Sequence, residues 1–249
     1  MDINRAELKR RAQVIIRDSK PKILYAGLIY LALAVLMGVL SAQIVGISVR
    51  DANQILQYLN EGDTQRAMIY AQSVAPSASA YLLDTAMQLV LSIVGAGFII
   101  FLLNTIRSAG ACYGNLLDGF GFFWRVILLN ILEAVFITLW SMLLVIPGII
   151  AAYRYRQAIY LLLDHPDWSA LDCIRESKRI MLGRKAELFI LDLSFIGWMI
   201  LAGIPYVGYI VQVWTFPYIN TTYALYYMAL TAAPESRVER PYENLPWEG

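Results

Sequence analysis

Any chemistry in this sequence has to come from a few charged residues set inside long apolar stretches. Arg154 and Arg156 stand in Tyr153-Arg154-Tyr155-Arg156, in the middle of such a run. A charge at bilayer depth costs at least ~2.5 kcal/mol on insertion scales, so it faces a bundle interior, a partner or water. Glu133, on the preceding apolar stretch, is the best-placed partner, with Asp192 and Asp84 as further candidates. Three uses stay open for this polar cluster of Glu133, Arg154, Arg156 and Asp192. One is a structural ion pair or a snorkelling arginine. The second is a cavity for an anionic headgroup or peptide carboxylate, and the third is an ion or proton path.

The remaining reactive residue types offer less. His165 is the single histidine, which excludes a multi-histidine metal site, and Asp164-His165-Pro166-Asp167 reads as a solvent-facing turn. Cys112 and Cys173 have no metal-ligand spacing and read as small, semi-buried residues. Asp164 and Asp167 are close carboxylates, but metal-assisted hydrolysis would need more ligands. No phosphate loop, nucleophile triad, HExxH or CxxC pattern occurs. The expectation is a protein without catalytic residues, cofactor or metal: not an enzyme.

These residues sit in a membrane-type chain. Of 249 residues, 59% are hydrophobic and only 16% charged, with a mean hydropathy of +0.55. Soluble domains carry about 25% charged and 45–50% apolar residues. Sixteen tyrosines and six tryptophans suit the headgroup level, where amphipathic rings settle. A net charge of +1 excludes a global basic field for nucleic acid.

The elements predicted to position the cluster are six apolar spans over about 23–47, 81–106, 126–147, 148–163, 188–204 and 208–230. Segment 1–22 is basic and amphipathic: Ala6, Leu8, Ala12, Ile15 and Ile16 share one side, with Arg5, Lys9, Arg10, Arg11 and Arg17 mostly elsewhere. It reads either as a helix in an anionic headgroup layer or as a solvated flank. The first span reads as an uncleaved signal anchor, too extended for a signal peptide. An insert at 48–80 holds the one long polar loop, with helical periodicity from Ala52 to Ala71. Gly95 and Gly97 suggest close helix contact or a bend in the second span. Pro147-Gly148 is needed as a span break, because 126–163 is far too long for one crossing at about 1.5 Å per residue.

Ser169-Ala170-Leu171-Asp172 is a capping box that starts an amphipathic helix over 169–182, ended by Gly183. Its surroundings supply Arg175, Lys178, Arg179, Arg184 and Lys185 as candidates to face anionic headgroups. The stretch 233–249 reads as a disordered tail. With six crossings the seven basic residues of 1–22, Arg107, Arg125, these five, Arg237 and Arg240 share one face, against Arg50 and Arg66 on the other. The positive-inside rule makes that face cytoplasmic, with both ends inside. The predicted class is therefore all-α: a polytopic transmembrane helical bundle with amphipathic cytoplasmic helices.

A family resemblance runs from Asn115 to Tyr227. It is carried by Leu117-Asp118-Gly119-Phe120, Leu139-Trp140-Ser141, the run from Ile146 to Tyr155, Ala158-Ile159-Tyr160, Glu176-Ser177-Lys178, Met181-Leu182-Gly183, the run from Leu188 to Trp198, and Pro217-Tyr218. This stretch resembles the DUF975 family of bacterial integral membrane proteins of unknown function. A looser likeness is to the non-catalytic membrane domain attached to some glycerophosphodiester phosphodiesterases. The resemblance implies a multi-pass layout in a bacterial plasma membrane, and it implies no substrate.

The leading functional expectation is a non-enzymatic protein that binds a lipid, peptide or protein partner in or at the membrane, anionic headgroups first among them. The alternatives are a transporter or transporter subunit built around Arg154 and Arg156, and a membrane enzyme. Against transport, the sequence displays no inverted repeat and no pair of broken helices.

Overall fold

A computed structural model describes residues 4–46, 48–204 and 207–232. Among these residues every regular element is helical. The first half holds α1 (Arg5–Asp18), α2 (Ile23–Val45), α3 (Val49–Asn60), α4 (Thr64–Ser73) and α5 (Ala78–Ile106). A short α6 (Asn115–Asp118) leads through a 3-10 turn into α7 (Phe123–Leu143). Then come α8 (Val145–Tyr155), α9 (Ala158–Asp164), α10 (Ala170–Ile180), α11 (Lys185–Leu193), α12 (Ile196–Ala202) and α13 (Val207–Ala232). The tail expected at 233–249 lies outside the described residues, as do residues 205 and 206 before α13.

Three helical stretches are long and apolar enough to cross a membrane: α2, α5 and the run from Asn115 to Leu143. Burial divides the molecule into two zones. A conventional core joins Leu8, Ala12 and Ile16 of α1, Phe98, Phe101 and Leu102 of α5, Tyr160, Leu161, Leu162 and Leu163 of α9, and Tyr226 and Tyr227 of α13. Elsewhere large apolar side chains face outward: Val35, Leu36 and Val39 of α2, Leu139 and Leu143 of α7, Ile146 and Ile149 of α8, and Ile200 of α12. A water-exposed surface rarely carries so extensive an apolar band, whereas lipid tails accept one.

The break expected at Pro147-Gly148 falls earlier in the chain. Leu144 takes the extended conformation (φ −163°, ψ 150°), and α8 already starts at Val145. Pro147 sits in the first turn of α8, where its missing N–H would have no intrahelical acceptor anyway. Gly148 has a different task. A Cβ there would lie 2.1 Å from the Ser141 Oγ, so its absence lets α8 fold back tightly on α7. Gly97 acts in the same way in α5: an added Cβ would meet the Leu116 carbonyl oxygen at 2.1 Å. Gly95 has no such constraint, its nearest neighbour being the Tyr30 hydroxyl at 3.5 Å.

The α12–α13 hairpin reaches less far than the neighbouring α2. Tyr30 and Phe216 stack at 4.9 Å, giving α2 and α13 a common level. From there α2 rises about 22 Å to Val45, while α13 extends only about 14 Å to Val207. The insert forms the α3–α4 hairpin, split at Gly62 (φ +76°) rather than running as one helix. Tyr70 closes it by donating to the Asp51 Oδ1 at 2.8 Å.

Candidate functional site

Two helices are interrupted where charges of the apolar stretches meet. α8 gives way to α9 at Arg156-Gln157, and α11 gives way to α12 at Ser194-Phe195. Interrupted helices leave backbone groups without intrahelical partners, and here side chains supply them. The Ser177 hydroxyl, fully buried on α10, donates to the Arg154 carbonyl at 2.7 Å and accepts from the Gln157 N–H at 3.2 Å. At the second interruption Lys9 of α1 donates to the Ser194 carbonyl at 3.2 Å and lies 4.3 Å from the centre of the Phe195 ring.

Between the interruptions lies an ion pair. Arg156 Nη1 donates to the Asp192 Oδ2 at 2.5 Å. Tyr153 donates to the same oxygen at 2.8 Å, and Tyr223 donates to Oδ1 at 2.7 Å. The Arg156 guanidinium also lies 4.4 Å from the Tyr223 ring centre, a cation–π contact. Asp192 therefore has both oxygens engaged, and the clamp joins α8, α11 and α13.

This geometry corrects the expected pairing. Asp192, not Glu133, partners Arg156. Glu133 is half-buried on α7 and makes no ion pair among the described residues, and neither does Arg154. Asp84 also stays outside the cluster, with a buried Oδ1 lacking a partner. The absence of paired broken helices is corrected as well, since α8–α9 and α11–α12 are both interrupted.

A second polar clamp closes the packed end. Arg107, capping α5, makes two bonds to Asp164 at 2.5 and 2.7 Å, and Tyr227 donates to Asp164 at 2.8 Å. Burial alone would raise the Asp164 carboxyl, but these bonds and the Arg107 charge hold it below its ordinary value. His165 is exposed and stacks on Trp168 at 4.2 Å, as a turn residue would. Cys173 is buried, whereas Cys112 is exposed rather than semi-buried.

The capping box of α10 is present with both of its bonds, and the Ser169 hydroxyl holds the Asp172 carboxyl below its ordinary value. The basic residues around it are less available than their number suggests. Arg175 pairs with Asp172 at 3.2 Å, Arg179 with Glu176 at 2.5 Å, and Arg184 with Glu187 at 4.0 Å. Lys178 and Lys185 make no ion pair among the described residues.

A better cationic surface lies at α1, the basic amphipathic segment expected either in an anionic headgroup layer or as a solvated flank. A groove of about 620 Å³ runs between α1, the start of α2 and α13. Arg10, Arg17 and Lys22 supply charge, Gln13 a polar amide, and Val14, Leu24, Tyr25 and Trp214 apolar walls. Among the described residues Arg17 pairs only with its exposed neighbour Asp18 at 3.1 Å, and Lys22 donates to the Arg17 carbonyl. Arg10 makes no ion pair among the described residues. The apolar face expected to meet headgroups is instead docked in the protein core through Leu8, Ala12 and Ile16. That docking leaves the basic face of α1 pointing outward.

Fold and site together define an all-helical protein with apolar helices of membrane-crossing length. Residues 141–234 match the family described as protein of unknown function (DUF975). No curated protein and no solved structure matches the chain.

Proposed function

We propose that this is a non-enzymatic plasma-membrane protein of bacterial type that binds an anionic lipid headgroup at its cytoplasmic rim. The groove at α1 carries this reading. Three cations beside Tyr25 and Trp214, at the cytoplasmic start of α2, combine the charge a phosphate needs with the rings that settle at headgroup level. Each Lys or Arg near an anionic surface contributes about 1 kcal/mol. The self-paired arginines of α10 offer less. The chain enters and leaves the bilayer on the cytoplasmic side. In this reading α2, α5, α7 and the interrupted α8–α9 pair cross, and the α12–α13 hairpin enters from the cytoplasmic face. The six crossings read from the sequence differ only in the depth of that hairpin and return both ends to the same side.

The test is thermal unfolding of the full chain in neutral micelles with anionic or zwitterionic lipid added. Stabilisation by the anionic lipid that weakens with salt and disappears in Arg10→Gln/Arg17→Gln/Lys22→Gln supports the reading. Equal stabilisation by both lipids overturns it.

A second reading, transport, is favoured by the two interrupted helices joined at Arg156 and Asp192. Discontinuous helices of this kind form midplane sites in transporters. Solute flux in proteoliposomes that Arg156→Met abolishes would establish it, and a clamp variant without effect on any flux would remove its motive.

A further inference from the structure

The α3–α4 hairpin carries a surface that its own packing does not use. On α3, Val49, Ala52, Leu56 and Leu59 recur at helical spacing and share one side. Val49 is 79% exposed, Leu56 55% and Leu59 47%. The hairpin is held together on a different side: Asp51 accepts from Tyr70, and Tyr58 meets Tyr70 edge-on with ring centres 6.0 Å apart. Arg50, Asn53 and Gln57 occupy the polar side of α3, opposite or flanking the apolar strip.

Chain length limits where this strip can be. Only residues 46–48 separate the end of α2 at Val45 from Val49. The four steps from Val45 to Val49 reach at most about 14 Å even when fully extended. The first turn of α3 thus lies within that distance of the outward end of an apolar span. The hairpin's return at 74–77 is one residue longer, and it leads to Tyr81, Leu82 and Leu83 of α5, all exposed. Both ends of the hairpin are tied to lipid-facing surface.

We propose that α3 lies in the bilayer interface on the extracytoplasmic side, with Val49, Leu56 and Leu59 in the headgroup–acyl boundary and its polar side in water. The occupant of the apolar strip is the lipid leaflet. A helix with one apolar side, one polar side and low net hydrophobicity adopts this position. The hairpin then acts as an outer anchor for α2 and α5. It fixes their height and makes the region sensitive to leaflet composition. This inference rests on the reading that α2 crosses the bilayer.

The experiment places single cysteines in the full-length protein in lipid nanodiscs, in a Cys112→Ser background. The remaining Cys173 is buried, and burial pushes its thiol up to about 11, so it stays unlabelled. Leu56→Cys and Leu59→Cys test the apolar strip, Gln57→Cys and Arg50→Cys the polar side, and Val39→Cys in α2 reports lipid directly. Each is labelled with a polarity-sensitive fluorophore and challenged with lipid carrying a nitroxide near the carbonyl level.

Quenching at 56 and 59 should exceed that at 57 and 50 at least about twofold, as expected for one face of an interfacial helix. Quenching at 39 with none at 56 and 59 overturns the inference while leaving the membrane reading intact. No quenching at any position overturns the membrane reading itself. Disulfide cross-linking of Leu56→Cys between two copies would identify a second copy as the occupant and also overturn the proposal.

Discussion

Replacing Asp192 by Asn tests the clamp most revealingly, because it removes a charge while keeping size and an acceptor. The Arg156 and Asp192 side chains are 35% and 16% exposed, so the pair is neither fully buried nor a surface pair. Breaking a buried pair costs about 3–5 kcal/mol, and exposed pairs contribute about 0–1. The partial exposure puts Asp192→Asn at about 2–3 kcal/mol, between those limits. Arg156→Met should cost a similar amount, since Tyr153 and Tyr223 would still donate to the carboxylate but its counter-charge would be gone. The double variant should lose about 1–2 kcal/mol less than the two single losses added together, because removing the second partner removes an uncompensated charge. Glu133→Gln combined with Arg156→Met should be additive within about 0.5 kcal/mol, as for independent sites. Equilibrium unfolding in mixed micelles reads all five variants. Additivity for Arg156 with Asp192, or strong coupling for Arg156 with Glu133, would refute the clamp.

Three further outcomes follow from other parts of the structure. Gly97→Ala should destabilise by about 2 kcal/mol or more, as overpacking against backbone does, because its methyl meets the Leu116 carbonyl. Gly95→Ala in the same helix should be near neutral, and thermal melts compare the two. Ser177→Ala should cost about 1–3 kcal/mol, the price of a buried backbone group left without a partner, and should speed amide exchange around Gln157. For Asp164, whose folded carboxyl is held below its ordinary value, the linked stability is fully present above the unfolded value of about 4 and is lost as pH falls through the folded value. Asp164→Asn should flatten that acid limb of the stability profile, and an unchanged limb would count against the Arg107–Asp164–Tyr227 clamp.

Local signals in the sequence translate directly into local structure. Ser169 and Asp172 form their capping box because both partners lie within one turn. Long apolar runs become long helices because nothing interrupts their backbone bonding. Contacts that depend on rotation and on distant segments are harder to read. Pro147-Gly148 looks like a turn, yet a proline is equally suited to a helix's first turn, and Gly148 serves close packing. Glu133 looked the better partner because it lies on the adjacent helix. Adjacency, however, does not fix which side of a helix a residue occupies, and Asp192 came within reach because both helices are interrupted beside it. The Lys9 contact to the Ser194 carbonyl spans most of the chain, and no spacing rule connects them. The basic clusters illustrate the same limit: Arg175, Lys178, Arg179, Arg184 and Lys185 read as headgroup-facing, but the arginines there pair with nearby carboxylates, while α1 turns its own outward.

The central claim is that the groove between α1, α2 and α13 holds an anionic headgroup. Native mass spectrometry of the full chain released from mixed-lipid nanodiscs reads it most directly. Retained anionic lipid on the parent protein, lost in Arg10→Gln/Arg17→Gln/Lys22→Gln and kept in Arg175→Gln/Lys178→Gln, is the predicted result. Equal retention by the groove variant and the parent would contradict the account.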